Sequence, residues 1–412
     1  MKVILVNIGI CIFSLCLCLF ILEGVLRLFS KTSLLRVQHH KLFCEYDSLL
    51  GWRKIPGVKG IHKTAEYSIP EVINSKGIRG PEYSYDKDNE EYRILVVGDS
   101  FVEGYTVEFN EMFSEIVKMM LNKRGDRNYE VISAGTGGYC TDQEFLFFKE
   151  EGKKYNPDLT VLMFCDNDII YNAKSKYDQD YKPLFKLEEG KLRLTNVPVP
   201  PREKREKKFI ETVKRILREK TYLYNFITDR VKSFRGLHAI AIKLGLAQET
   251  NTLITDLKVN RHKEVWIPCE FRPYKKKCYD EEIDRAWQIT EALLSDFKKE
   301  VTFIGGNLLV FHIPSRAAVY PEEWEAMKKR YCLSKDDWDI DNIGRKLADI
   351  CNKQGIDFIE PTKLFKAEAD KLNKQGQRLY FFFDGHWNVK GHQLVGQILM
   401  EYMNSHYLKE SI

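Results

Sequence analysis

Ser100 follows Gly98-Asp99 at the end of an apolar run, and far downstream His386 stands two positions after Asp384 in Asp384-Gly385-His386-Trp387-Asn388. A hydroxyl, an imidazole and a carboxylate are the groups that nucleophilic acyl transfer needs, because a serine hydroxyl attacks a carbonyl only when an oriented base removes its proton. Two further segments carry groups able to stabilise an oxyanion, Ala134-Gly135-Thr136-Gly137-Gly138 and Cys165-Asp166-Asn167-Asp168. Taken singly, each has a plainer reading: a serine after a strand caps a helix, and a glycine pair sets a tight turn. Their joint placement is what points to chemistry.

Asp99, Asp168, His312 and Arg316 also fall at or just after strand ends and are candidate substrate contacts, with packing and surface roles as alternatives. His386, His392 and Asp384 lack a third neighbouring ligand with metal-site spacing, so no metal is expected, and nothing calls for a cofactor. Gly135 to Gly138 has no following lysine and serine or threonine of the phosphate-loop type.

These residues must be positioned by the elements around them. Runs at residues 93–98, 129–133, 159–164, 308–313 and 356–359 read as strands, the first of them of the kind buried on both faces of a parallel sheet. Helical patterns cover residues 110–123, 141–154, 341–352 and 390–403. The alternation predicts a three-layer α/β domain, a doubly wound sheet of about five parallel strands, over residues 92–412. In such sheets the ligand crevice lies beyond the carboxyl ends of the strands, where Ser100, Gly138 and Asn167 stand.

Residues 31–91 read as an extended lead-in over the domain, and residues 171–281 as a basic, mainly helical insertion with apolar residues at helical spacing across 208–234. Residues 1–30 carry an apolar run long enough to cross a bilayer, without a convincing cleavage site, and read as a single transmembrane anchor. The net charge of +5 is small and dispersed, so no nucleic-acid partner is expected; the partners expected are a small-molecule or glycan ester and the membrane. Ten scattered cysteines form neither a disulfide framework nor a zinc pattern.

With these residues in view, the sequence resembles the SGNH (GDSL-like) hydrolase superfamily, in Gly98-Asp99-Ser100, Gly138, Asn167-Asp168 and Asp384 to His386. The lead-in is similar to that of bacterial membrane-bound members, in Leu50-Gly-Trp-Arg53 and Asn74-Ser-Lys-Gly-Ile-Arg79-Gly-Pro81, which implies an extracytoplasmic body. The resemblance implies a flavodoxin-like fold and ester hydrolysis, with Ser100 as nucleophile, His386 as base and Asp384 orienting it. It further implies an oxyanion hole made of the Ser100 and Gly138 N–H groups and the Asn167 amide. The usual carboxylate lies three residues before the histidine; the two-residue spacing here resembles relatives that O-acetylate polysaccharides, so acyl transfer to a glycan is the alternative activity. A catalytically silent binding module of a membrane assembly is the second alternative. Ser133 stands where many relatives carry asparagine.

Overall fold

The computed structural model describes residues 2–29, 43–64, 66–178, 180–202, 221, 223–224, 267–276 and 280–408. The chain divides into two units, residues 1–39, 63–67 and 203–255 forming one, and residues 40–62, 68–202 and 256–412 the other.

In the first unit, helix α1 spans Lys2–Phe29. The expected membrane span falls on it, and many of its side chains lie outside the described residues. Among the described residues, no helix is long and apolar enough to cross a membrane. The amphipathic stretch expected at 208–234 lies almost wholly outside the described residues.

The second unit begins with the antiparallel hairpin β1 (Cys44–Asp47) and β2 (Gly51–Lys54). After β3 (Lys59–Lys63) and β4 (Ser68–Val72), the chain enters the central sheet through β5 (Glu91–Gly98), β6 (Asn128–Gly135) and β7 (Leu159–Cys165). Two small hairpins follow, β8 (Lys176–Tyr177) with β9 (Asp180–Tyr181), and β10 (Leu184–Glu188) with β11 (Lys191–Thr195). Within the insertion expected to be mainly helical, residues 176–195 form short strands and turns. Glu189 and Gly190, at φ 51° and 77°, make the two-residue turn that joins β10 to β11. The sheet closes with β12 (Asn307–Ile313) and β13 (Asp357–Ile359).

Its order is β13-β12-β7-β5-β6, and every pairing is parallel. Alternation along the strands sends side chains to two cores. Leu95, Val97, Leu162 and Val310 pack with Phe145, Phe148 and Phe297 on one face. Ile94, Val96, Val161 and Phe311 pack with Phe113, Val117, Phe365 and Val395 on the other. The covering helices include α2 (Ser100–Glu103), α3 (Phe113–Asn122), α4 (Thr141–Glu150), α5 (Asp168–Tyr171) and the long α6 (Glu281–Phe303). They continue with α7 (Arg316–Val319), α8 (Pro321–Tyr331), α9 (Asn342–Gln354), α10 (Thr362–Asn373) and α11 (Val389–His406). Burial of both faces explains why β5, β7 and β12 read as mainly apolar segments.

Gly135 ends β6 where α2 crosses it: a Cβ there would stand 2.0 Å from the Glu103 backbone nitrogen. The glycine therefore lets the one-turn helix that begins with Ser100 lie against the sheet.

Candidate active site

Asp99 terminates β5 and accepts a hydrogen bond from Phe101 N (2.9 Å), the cap that starts α2 with Ser100 at its first position. Ser100 Oγ lies 2.7 Å from His386 Nε2, and His386 Nδ1 lies 2.5 Å from Asp384 Oδ1. An ionised carboxylate on Nδ1 selects the tautomer that leaves Nε2 free to accept the serine proton. Gly385, at φ 87°, makes the tight reversal that returns the Asp384 carboxylate to a histidine only two residues away.

The loop carrying His386 is clamped on both sides. Trp387 is fully buried and packs edge-on against Phe101, with ring centroids 4.7 Å apart. Its carbonyl accepts from Thr106 Oγ1 (2.8 Å), and Phe381 N donates to the His386 carbonyl (2.8 Å). Asn388 caps α11 through Lys390 N and Gly391 N, so the residues after the histidine anchor it between sheet and last helix. Burial lowers the proton affinity of the His386 ring, but the adjacent Asp384 carboxylate outweighs it, with Asp99 and Glu103 adding, and the net shift is upward.

Ser100 and His386 open into a cavity of about 500 Å³, whose wall includes Gly137 and Gly138. Among the described residues, no group accepts the Gly138 N–H. Asn167 is not among the lining residues, but its amide nitrogen is 3.4 Å from the hydroxyl of Tyr177, which lines the cavity. Ser133 Oγ donates to the Val102 carbonyl (2.9 Å), tying β6 to α2.

The four candidate substrate contacts do not line the cavity. Asp99 is buried, its carboxyl pushed up to about 6 by desolvation, and is engaged as the α2 cap. Asp168 is 1% exposed and accepts from Thr141 Oγ1 and Cys165 N, with burial holding its carboxyl well above the usual range. Arg316 pairs with Glu323 and donates to the Phe382 carbonyl (2.7 Å), bracing the loop that leads to Asp384. His312 lies between Asp166 and Glu360, 2.6 Å from each. All four side chains engage internal partners, although the buried Asp168 Oδ1 accepts no hydrogen bond among the described residues, and strand-end position alone did not disclose these partners.

Burial opposes charge on His312, but Asp166 and Glu360 outweigh it and raise its pKa to about 10, while Glu360 falls to about 2. The imidazolium's contribution is complete below its ordinary 6.5 and is lost as pH rises through about 10. That of Glu360 is present above its ordinary 4.5 and is lost as pH falls through about 2. His312→Gln is therefore expected to lower stability by ~2 kcal/mol near neutral pH, discounted for the partly exposed Glu360, with kcat within about two-fold of the parent. Urea unfolding beside ester turnover checks both.

His392 is buried, its pKa pushed down to about 3 mainly by desolvation, and its Nδ1 accepts from Phe113 N (3.2 Å). Among the described residues, no cluster of three or more histidines, cysteines or carboxylates is placed to hold a metal.

Tyr105, Glu103 and Lys54 were not anticipated. The Tyr105 hydroxyl lies 3.3 Å from His386 Nδ1, and its ring stacks on His62 with centroids 4.2 Å apart. Glu103 is completely buried and joined to Lys54 of β2.

The blocks at the ends of β5, β6 and β7 and the loop before α11 thus share one edge of one sheet. No protein-family model and no curated protein matches the sequence. Among solved structures, an acetyl xylan esterase is similar at 12% identity and a TM-score of 0.38, covering 75% of this chain and 98% of its own. An α/β hydrolase from the metagenome of Lake Arreo, Spain, is similar at 10% identity and a TM-score of 0.37, covering 77% and 96%. A lipase/acylhydrolase from Enterococcus faecalis is similar at 10% identity and a TM-score of 0.37, covering 76% and 96%.

Proposed function

We propose that the chain is a serine esterase of the SGNH type, which cleaves esters through an acyl-enzyme on Ser100. The observation that carries this reading is the relay from Ser100 Oγ to His386 (2.7 Å) and on to Asp384 (2.5 Å). His386 takes the hydroxyl proton as the oxygen attacks, and Asp384 stabilises the resulting imidazolium. The oxyanion is received by the N–H groups of Ser100 and Gly138, with the Asn167 amide drawn in from beside the Tyr177 hydroxyl. Collapse expels the alcohol, protonated by His386, and water activated by the same imidazole releases the acid.

The cavity wall favours a short acyl group on a hydroxylated alcohol. Trp52, Tyr105 and Tyr177 supply flat faces, and Glu45, Asp178 and Arg202 supply hydrogen-bonding groups. No leucine, isoleucine, valine or methionine is among the described lining residues, whereas a pocket for a long alkyl chain is lined by aliphatic groups. A glycan ester fits this wall better than a lipid. Catalytic efficiency is expected to fall more than about ten-fold from p-nitrophenyl acetate to the octanoate; equal turnover of the two would overturn the short-acyl reading. Supplying an acetyl donor with oligosaccharides tests the alternative activity, since acetylated sugar in place of free acetate would identify a transferase.

The chain is held at a membrane by α1, with its catalytic body outside the cytoplasm. In support, Ile10, Phe13, Phe20 and Ile21 of that helix present more than half of their surface outward, and bare apolar side chains in such a row need a non-aqueous partner.

A further inference from the structure

Lys54, Glu71, Arg79 and Glu103 are each 2% exposed or less, an unusual gathering of charge in an interior. Three of the four come from the lead-in and one, Glu103, from the turn of helix that carries Ser100. Glu103 divides its carboxylate between two jobs. Oε1 accepts from Lys54 Nζ, and Oε2 accepts from the Gly137 N–H at 2.6 Å. Lys54 also bonds Glu71 Oε1 (3.1 Å), and Arg79 donates to the carbonyls of Gly104 (2.5 Å) and Val107 (2.9 Å), just beyond α2.

The Gly138 N–H lies in the same planar unit as the Gly137 carbonyl, and the Gly137 N–H belongs to the unit before it, so holding both groups fixes the two peptide planes that meet at Gly137 and with them the aim of the Gly138 N–H. Trp52 Nε1 holds the other end of the same residue, donating to the Gly137 carbonyl at 3.1 Å. The lead-in thus grips Gly137 directly through Trp52 of β2, and indirectly through Lys54, two residues on. Loss of Lys54 leaves the buried Glu71 and Glu103 with Arg79 as their neighbouring cation, so Glu103 shifts toward Arg79 or shares a proton with Glu71, and its hold on the glycine amide loosens.

We propose that Lys54 and Glu103 are positioning residues for the oxyanion hole: the lead-in lysine holds Glu103 in place, and Glu103 fixes the Gly137 amide so that the Gly138 N–H faces the carbonyl attacked by Ser100. This rests on the esterase reading of that site. It assigns the segment before the α/β domain a part in catalysis as well as in covering the sheet.

The discriminating measurement compares p-nitrophenyl acetate with its thionoacetate in the full chain. Sulfur accepts hydrogen bonds weakly, so a donor aimed at the developing anion accelerates the oxygen ester far more than the thiono ester. Lys54→Met is expected to lower kcat on the oxygen ester by about 10- to 100-fold, with KM within about two-fold, and to slow the thiono ester by no more than about three-fold. The ratio of the two efficiencies should therefore contract at least about five-fold. Glu103→Gln keeps the side-chain shape but has one acceptor oxygen where the carboxylate uses two, so it cannot receive both Lys54 and the Gly137 amide and should contract the ratio in the same direction if the methionine variant does not fold. Lys182→Met, which breaks an equally buried ion pair with Asp142 whose hydrogen bonds do not include Gly137, should lower the unfolding midpoint and leave the ratio unchanged. A ratio kept at the parent value in folded Lys54→Met or Glu103→Gln overturns the proposal. Failure of the esterase reading is distinct, because it would show as turnover that survives loss of the Ser100 hydroxyl.

Discussion

Replacing Ser100 with alanine is expected to remove ester hydrolysis, with kcat falling on the order of 10⁶-fold, and to leave the protein folded. The size of the effect follows from the division of labour at the site. The hydroxyl is the only atom deleted, and its recorded bond is to His386 Nε2, so little packing is lost while the covalent route through the acyl-enzyme disappears. Asp99 still caps α2 through the Phe101 amide, and Gly135 still accommodates the helix against β6. Hydrolysis of p-nitrophenyl acetate and labelling by a fluorophosphonate should vanish together, with an unchanged unfolding midpoint. Turnover persisting within about ten-fold of the parent would place the nucleophile elsewhere.

The residues that converge in this site were legible because they follow elements that the sequence states strongly. The strands β5, β6 and β7 carry apolar runs buried along most of their length, so their ends could be read, and with them the edge holding Ser100, Gly138 and the residues around Asn167. The Asp384-Gly-His386 turn was legible as chemistry, while its clamp, Trp387 packed on Phe101 and Thr106 bonded to the Trp387 carbonyl, is tertiary and left no local signal. Charge was the least legible property. Lys54, Glu71 and Glu103 look in sequence like solvated residues, and only the fold shows them buried against one another. The reverse holds for Asp168 and His312, whose position at strand ends suggested substrate contact, while Asp168 Oδ2 and both His312 ring nitrogens are engaged by internal partners. The β10–β11 hairpin escaped because its strands are polar on one face and its Glu-Gly turn is a weak signal beside the commoner Asn-Gly.

Asp384→Asn tests the base rather than the nucleophile, and its expected loss is about 10⁴-fold in kcat with binding of substrate little changed. An asparagine amide offers Nδ1 either a donor or a weak neutral acceptor, so the ring is free to place its proton on Nε2, where it can no longer accept from Ser100. The pH profile separates this from simple disruption. In the parent, burial opposes the charged ring but Asp384 prevails, so the imidazole holds its proton above the ordinary value of 6.5. Catalysis needs the neutral ring, so the rate should rise with pH through a midpoint above 6.5 and fall away as acid protonates His386. Without the carboxylate, desolvation is opposed only by the more distant Asp99 and Glu103, and the residual activity should reach its plateau at lower pH than in the parent. A residual rate with an unmoved midpoint would mean that Asp384 does not set the proton affinity of His386, and the short contact between them would then be a packing feature of the Gly385 turn.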